Sequence, residues 1–252
     1  MTIFYFTATG NSLAVAKRIG GTLISIPQVV ESDSLFFKDD VIGVVFPVYW
    51  MTAPDMVLKF IKAVKFECDY LFLVATSGGM PGASLHIVQQ LAKKNGFRFD
   101  YLDDVVMIDN SLVITSIEAQ IEKHSKDEFE SKIDVILKNI AGQISNADKG
   151  TSIFKRALTS VVSRIPNYEK VPQKFFISDK CNCCKVCVKV CPGGNIEVSD
   201  KVRFGKRCTG CFACLHNSPE NAIHFKNEKS TKRWRNPDVS LKDIIDANNR
   251  VK

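Results

Sequence analysis

Eight of the nine cysteines in this 252-residue chain fall between Cys181 and Cys214. In a reducing compartment such a concentration points to metal ligation rather than to disulfides. The first run is Cys181-x-x-Cys184-x-x-Cys187-x-x-x-Cys191-Pro192, and Cys208-x-x-Cys211-x-x-Cys214 repeats its closely spaced part. Three thiols in one tight loop suit an iron–sulfur cubane, with the fourth cysteine pointing to a neighbouring cluster. Zinc also uses C-x-x-C pairs, but two runs of three thiols and a Cys-Pro step fit iron–sulfur ligation better. Between the runs, Ile196-Glu-Val and Lys201-Val-Arg-Phe flank a turn and predict a hairpin. Cys68 has no ligand-like neighbour and reads as a small packing residue.

Charge divides the chain along the same line. Residues 1–150 hold 14 Lys and Arg against 18 Asp and Glu, and residues 151–252 hold 20 against 9. The basic half interleaves its charge with the cysteines, so compensation of anionic clusters is favoured over a nucleic-acid face. No apolar run approaches the length that spans a bilayer. The start, Met1-Thr-Ile-Phe-Tyr-Phe-Thr, lacks a basic leader and is expected to be a strand rather than a signal peptide. These features predict a cytoplasmic protein with no nucleic-acid and no membrane partner.

Strand and helix alternate over the first half. Ile3-Phe-Tyr-Phe6, Val41-to-Phe46 and Tyr70-to-Ala75 are apolar runs of strand length, which suit parallel strands covered on both faces. Val105-to-Ile108 is expected to be the last strand. Helical periodicity runs from Leu13 to Ile19, from Met56 to Val64 and from Ser84 to Lys94. This is the rhythm of a doubly wound parallel sheet. One helical pattern extends from Ile117 to about Ser145. Asn146-Ala-Asp-Lys-Gly150 breaks it, Thr151-to-Ile165 predicts another helix, and Pro166 to Pro172 reads as a connector. Ser240–Ala247 is a short helical stretch in the basic tail.

Thr7-Ala-Thr-Gly-Asn-Ser12 lies between the first strand and the first helix. A helix N-terminus offers unpaired N–H groups and partial positive charge, and Thr7, Thr9, Asn11 and Ser12 add polar side chains. Gly10 lets the backbone turn closely. The loop has no Lys, which argues against triphosphate chemistry. A tight strand–helix turn with an N-cap is the structural alternative.

The order Thr-x-Thr-Gly-Asn-Ser after strand one resembles the FMN phosphate loop of flavodoxins. Two further loops resemble that family at strand ends, where open α/β sheets bind ligands. Phe46-Pro-Val-Tyr-Trp-Met-Thr-Ala-Pro54 looks like the loop lining the isoalloxazine ring, with Pro47, Val48 and Tyr49 or Trp50 against it. Thr76-Ser-Gly-Gly-Met-Pro-Gly82 resembles the loop on the pyrimidine side, involving Thr76, Ser77, Gly78 and Gly79. The aromatic residue that many flavodoxins carry on this second loop is absent.

The whole chain, including Arg233-Trp-Arg-Asn-Pro237, resembles the fused flavodoxin–ferredoxin proteins of anaerobes. That resemblance implies an α/β flavodoxin-like doubly wound five-stranded parallel sheet followed by an α+β bacterial ferredoxin-like domain. The expected divisions are 1–145 for the FMN domain, 146–173 for a helical linker, 174–228 for the iron–sulfur domain and 229–252 for the tail. It also implies FMN and [4Fe-4S] clusters as cofactors. Cys191, Cys208, Cys211 and Cys214 would form one four-thiolate site. The other keeps Cys181, Cys184 and Cys187, but Ser218 stands where the family has its fourth cysteine. Ser218 ligation, a labile cluster and substitution by Cys183 are the open outcomes, the labile cluster being favoured. No second ligand completes a site at His216 or His224, which are expected to pack or face solvent.

The implied function is electron transfer between clusters and FMN, linking a ferredoxin-type donor or reductase to a redox partner. An FMN-dependent reductase of a small substrate and an iron–sulfur redox sensor are the alternatives, with the carrier favoured over the enzyme.

Overall fold

Two continuous apolar runs become the central strands of a parallel sheet, because both of their faces are covered. The computed structural model describes residues 1–147, 150–166 and 168–250. The expected break at 146–150 and connector at 166–172 therefore lie partly outside the described residues, at Asp148, Lys149 and Asn167.

The strands of the first half are β1 (Thr2–Tyr5), β2 (Thr22–Ser25), β3 (Phe36–Lys38), β4 (Val41–Pro47), β5 (Lys65–Glu67), β6 (Tyr70–Ser77) and β7 (Tyr101–Val106). Five of them form an all-parallel sheet in the order β2-β1-β4-β6-β7, while β3 and β5 pair separately. Every residue of β6 is buried, as is the interior of β4, so neither strand needs a polar alternation. The strand order is that of a doubly wound flavodoxin-like sheet, and a smaller mixed α/β region follows it.

Several elements differ in extent from the sequence expectation. The last strand begins at Tyr101 rather than Val105. Within it Asp103 accepts a 2.6 Å hydrogen bond from the Tyr101 hydroxyl and pairs with Lys132. The single helix expected from Ile117 is two helices, Ile117–Lys123 and Lys126–Ala141. Ser125 makes the break by accepting from the Glu128 N–H as an N-cap. The Ser84–Lys94 helix and the hairpin of Ile196–Val198 with Val202–Phe204 form as expected.

The chain divides into two compact units. The first comprises Met1–Phe6, Ser12–Met107 and Ser125–Pro166; the second comprises Thr7–Asn11, Ile108–His124 and the described residues of Asn167–Lys252. Phe4, Phe6, Phe46, Phe60, Leu73 and Phe99 are fully buried in the first core, each worth about 1.5–3 kcal/mol by transfer from water. The second unit has its own core around Leu112, Ile196, Phe212, Leu215 and Phe225. There Phe175 stacks on Phe204 at 4.9 Å and meets Phe225 edge-on at 5.1 Å. Its strands are β8 (Phe175–Ile177), β9 (Ile196–Val198), β10 (Val202–Phe204) and β11 (Ile223–Phe225); β9 and β10 form a hairpin, and β8 pairs antiparallel with the distant β11. Among the described residues no helix is long and apolar enough to cross a membrane.

Candidate functional site

In the first unit the parallel register brings β1, β4 and β6 to one edge, with Tyr5 beside Val45 and Pro47 beside Thr76. The loops after β4 and β6 start together there, and the Val48 N–H donates to the Thr76 carbonyl at 2.8 Å. Tyr49 and Thr52 exchange backbone bonds of 2.8 and 3.0 Å. The turn between them holds Trp50 at φ 51° and Met51 at φ 65°. Two successive left-handed residues make a primed turn, normally reserved for Gly and Asn. Placing Trp and Met there costs on the order of 1–2 kcal/mol per residue, and backbone strain of this kind concentrates at functional loops. Tyr49 meets the Phe6 ring edge-on at 6.3 Å.

Ser12 and Thr76, from two of the three flavodoxin-like loops, meet through their hydroxyls at 2.7 Å. The next residue, Ser77, is buried, and among the described residues its hydroxyl has no hydrogen-bond partner. Beyond it the chain opens: Gly79 is exposed at φ 144°, with nothing among the described residues within 4 Å of where a Cβ would stand. A buried orphan hydroxyl costs about 1–3 kcal/mol. One at the carboxyl end of a central strand, beside an open glycine loop, fits the polar edge of a bound ring. Gly82 anchors the far end of the loop, where a Cβ would fall 2.4 Å from Met51 Cβ.

The loop Thr7–Asn11 belongs to the second unit and is almost wholly buried. The Thr7 hydroxyl accepts from the Gly10 N–H at 3.2 Å, and the Thr9 hydroxyl accepts from Asn110 Nδ2 at 3.0 Å. Asn11 Nδ2 donates to the Ile108 carbonyl at 2.9 Å. The carbonyls of Thr7, Ala8 and Thr9 accept from Asn248 Nδ2, Asn217 Nδ2 and the Asn236 N–H at 3.0, 3.2 and 2.7 Å. Asn236 lies inside the Arg233–Pro237 segment of the family resemblance but has no role assigned there, and Asn217 and Asn248 belong to no ligand motif, because an isolated Asn has no spacing signature until the fold delivers it to a carbonyl.

The cysteine loops require a correction. Cys181, Cys183, Cys184, Cys187 and Ser218 line one small cleft. Yet among the described residues no group of three or more His, Cys, Asp or Glu is arranged to hold a metal ion. The expected [4Fe-4S] cofactors, and with them the iron–sulfur and metal-binding character, are not supported. This applies both to the set Cys191, Cys208, Cys211 and Cys214 and to the set Cys181, Cys184, Cys187 and Ser218. All nine cysteines are free. Three of the groups expected as ligands accept backbone hydrogen bonds: Cys191 Sγ from the Asn195 N–H at 3.3 Å, Cys208 Sγ from the Gly210 N–H at 3.4 Å, and Ser218 Oγ from the Ala222 N–H at 3.1 Å. Burial pushes the Cys187 and Cys208 thiols up to about 11 and Cys211 to about 12.

His216 is buried between two backbone groups. Its Nε2 donates to the Asn110 carbonyl at 2.8 Å and its Nδ1 accepts from the Trp234 N–H at 3.0 Å. Burial holds its pKa down to about 4, so the imidazole is neutral. His224 Nδ1 pairs with Glu228 Oε1 at 2.9 Å.

A 55-residue stretch, 22% of this chain, is 34% identical to the pyruvate synthase subunit PorD of Methanothermobacter marburgensis and covers 67% of that protein. Over that stretch the chain belongs to the PorD family. No family model matches the chain. Among solved structures, a candidate flavoprotein from Bacteroides uniformis is 19% identical, with a TM-score of 0.34 over 48% of this chain and 96% of that one. The Trp repressor binding protein of Bacillus subtilis is 12% identical, with a TM-score of 0.31 over 42% of this chain and 84% of that one. At such scores these likenesses add nothing to the topology already described.

Proposed function

We propose that the chain is an electron-transfer flavoprotein that takes FMN through its flavodoxin-like loops. The observation that carries this reading is the buried, unpartnered Ser77 hydroxyl at the carboxyl end of β6, next to the open Gly78-Gly79 backbone. FMN supplies one- and two-electron redox chemistry when bound. In this reading Thr7, Thr9, Gly10, Asn11 and Ser12 serve the phosphate. Pro47, Val48, Tyr49, Trp50, Thr76, Ser77, Gly78 and Gly79 serve the ring, with Trp50 and Tyr49 as the aromatic side chains available to it. Ser77 Oγ donates to or accepts from the ring's polar edge, and the strained turn at Trp50-Met51 holds one wall in place.

The fused two-part plan, with a flavodoxin-like part over 1–145 and a second part over 174–228, belongs to the same proposal. The likeness to a pyruvate synthase subunit supports a redox enzyme as the partner. The net charge of +11 on residues 151–252 favours an acidic docking face on it.

Titration of the apoprotein with FMN tests the reading. Flavin fluorescence should quench at a 1:1 end point, and Ser77→Ala should weaken binding by about tenfold, the value of one hydrogen bond to the ring. Absence of any flavin binding by the unaltered protein would end it.

A further inference from the structure

Three consecutive carbonyls of one loop are taken up by three asparagines that follow it by some two hundred residues. Thr7, Ala8 and Thr9 offer their oxygens to Asn248 Nδ2, Asn217 Nδ2 and the Asn236 backbone N–H, respectively. Asn236 adds a second bond, from Nδ2 to Asn11 Oδ1 at 3.1 Å. Asn217, Asn236 and Asn248 are all buried. Gly10, at φ 103°, is packed so closely under the tail that a Cβ would fall 2.9 Å from Asn236 Cβ and 3.0 Å from Val239 Cβ.

In a trans peptide the C=O of one residue and the N–H of the next point in opposite directions. Holding the carbonyls of Thr7, Ala8 and Thr9 therefore fixes the directions of the N–H groups of Ala8, Thr9 and Gly10. The Gly10 N–H is turned onto the Thr7 hydroxyl, and the amides of Ala8 and Thr9, ahead of the helix Asn11–Ile19, are the groups from which an anion-binding turn is made. The Asn236–Asn11 bond likewise fixes the rotamer of the first residue of that helix.

We propose that Asn217, Asn236 and Asn248 are positioning residues for the phosphate-binding conformation of the loop Thr7–Asn11, so that affinity for the FMN phosphate is set by the C-terminal segment. The inference rests on the flavin reading above and assigns to that segment a role beyond packing. Asn236 is the central member, since it holds the loop through both its backbone and its side chain. The Asn236→Asp variant keeps the backbone bond to Thr9 and the size of the side chain. It removes the donor to Asn11 and sets a carboxylate against Asn11 Oδ1.

Riboflavin shares the ring of FMN and lacks the phosphate, which separates a positioning role from a general loss of structure. Asn236→Asp and Asn236→Ala should each raise the Kd for FMN about tenfold while changing that for riboflavin less than twofold. Equal weakening of both flavins, or of neither, would overturn the inference and leave the flavin reading standing. Should the unaltered protein bind neither flavin, the flavin reading fails. Amide hydrogen exchange then tests the positioning directly: the amides of Ala8, Thr9 and Gly10 should exchange at least tenfold faster in Asn236→Ala, and unchanged protection would overturn it.

Discussion

Ser12 Oγ and Thr76 Oγ1 lie 2.7 Å apart, joining the start of the first helix to the carboxyl end of β6 across 64 positions of sequence. Both side chains are at most 2% exposed, so water replaces neither partner. The bond ties two loops that the functional reading assigns to opposite ends of one ligand, and its strength bears on how far those loops are pre-arranged before any ligand arrives.

Removing either hydroxyl leaves the other buried without its partner, at a cost of about 1–3 kcal/mol. Removing both deletes that penalty. Ser12→Ala and Thr76→Val should therefore each lower the urea midpoint, and the double variant should be less destabilised than the sum of the two. A coupling of about 1 kcal/mol in the double-mutant cycle is the expected result. Strict additivity would show that the two loops are held independently.

Much of the first unit was legible because burial on both faces leaves an unmistakable pattern. Val41-to-Phe46 and Tyr70-to-Ala75 contain nothing a solvated strand would need, and they are two of the three interior strands. Thr22–Ser25 was missed because it is short, lies at the edge beside β1 and is only partly covered. The break between Lys123 and Lys126 was missed because the apolar period runs on through it while Ser125 caps a new helix. The loop residues were legible as types, since hydroxyls and glycine before a helix have a physical purpose. Their internal bonding was not. Gly10 donating to Thr7, and three distant asparagines holding the loop carbonyls, arise only from tertiary placement. The cysteine spacing misled in the opposite way: it brought Cys181, Cys183, Cys184 and Cys187 to one cleft without grouping a metal-ligand set.

Glu228 and Arg233 form an ion pair at 3.2 Å with side chains only 9% and 6% exposed. Burial alone would raise the Glu228 pKa, but hydrogen bonds from His224 and Arg233 outweigh it and hold the carboxyl below its ordinary value. A carboxyl with a depressed folded pKa contributes stability above its unfolded value and loses it as pH falls through the folded one. The Glu228 contribution should thus stay constant from neutrality down to the ordinary carboxylate range and fall below it, on top of the loss that the buried, neutral His216 causes as pH drops from its ordinary value of 6.5 toward about 4. Glu228→Gln should flatten part of that acid limb. It should also cost roughly 3 kcal/mol at neutral pH, because Arg233 is left buried without its counter-charge. An acid limb unchanged in the variant would assign the pH dependence to other carboxyls.

Gly43 sits in the middle of β4, directly beside Phe72 of β6 in the parallel register. The tip of the Phe72 ring covers the glycine, so a Cβ at position 43 would fall 2.1 Å from Phe72 Cζ and 2.3 Å from Cε2. Phe72 is fully buried, and the ring has no solvent to swing into. Gly43→Ala must therefore push an aromatic ring off its rotamer inside a close-packed sheet face, at a cost of about 1–3 kcal/mol. The same substitution on an exposed strand face would be neutral or mildly stabilising through reduced unfolded-state entropy, so the sign of the effect is diagnostic. Phe72→Leu alone should destabilise by creating a cavity. Combined with Gly43→Ala, it should recover part of that loss, because the new methyl fills space the ring has vacated. Thermal or urea unfolding of the two single variants and the double reads this directly, and a double variant no more stable than Phe72→Leu would show that the sheet backbone, not the ring, sets the limit at Gly43.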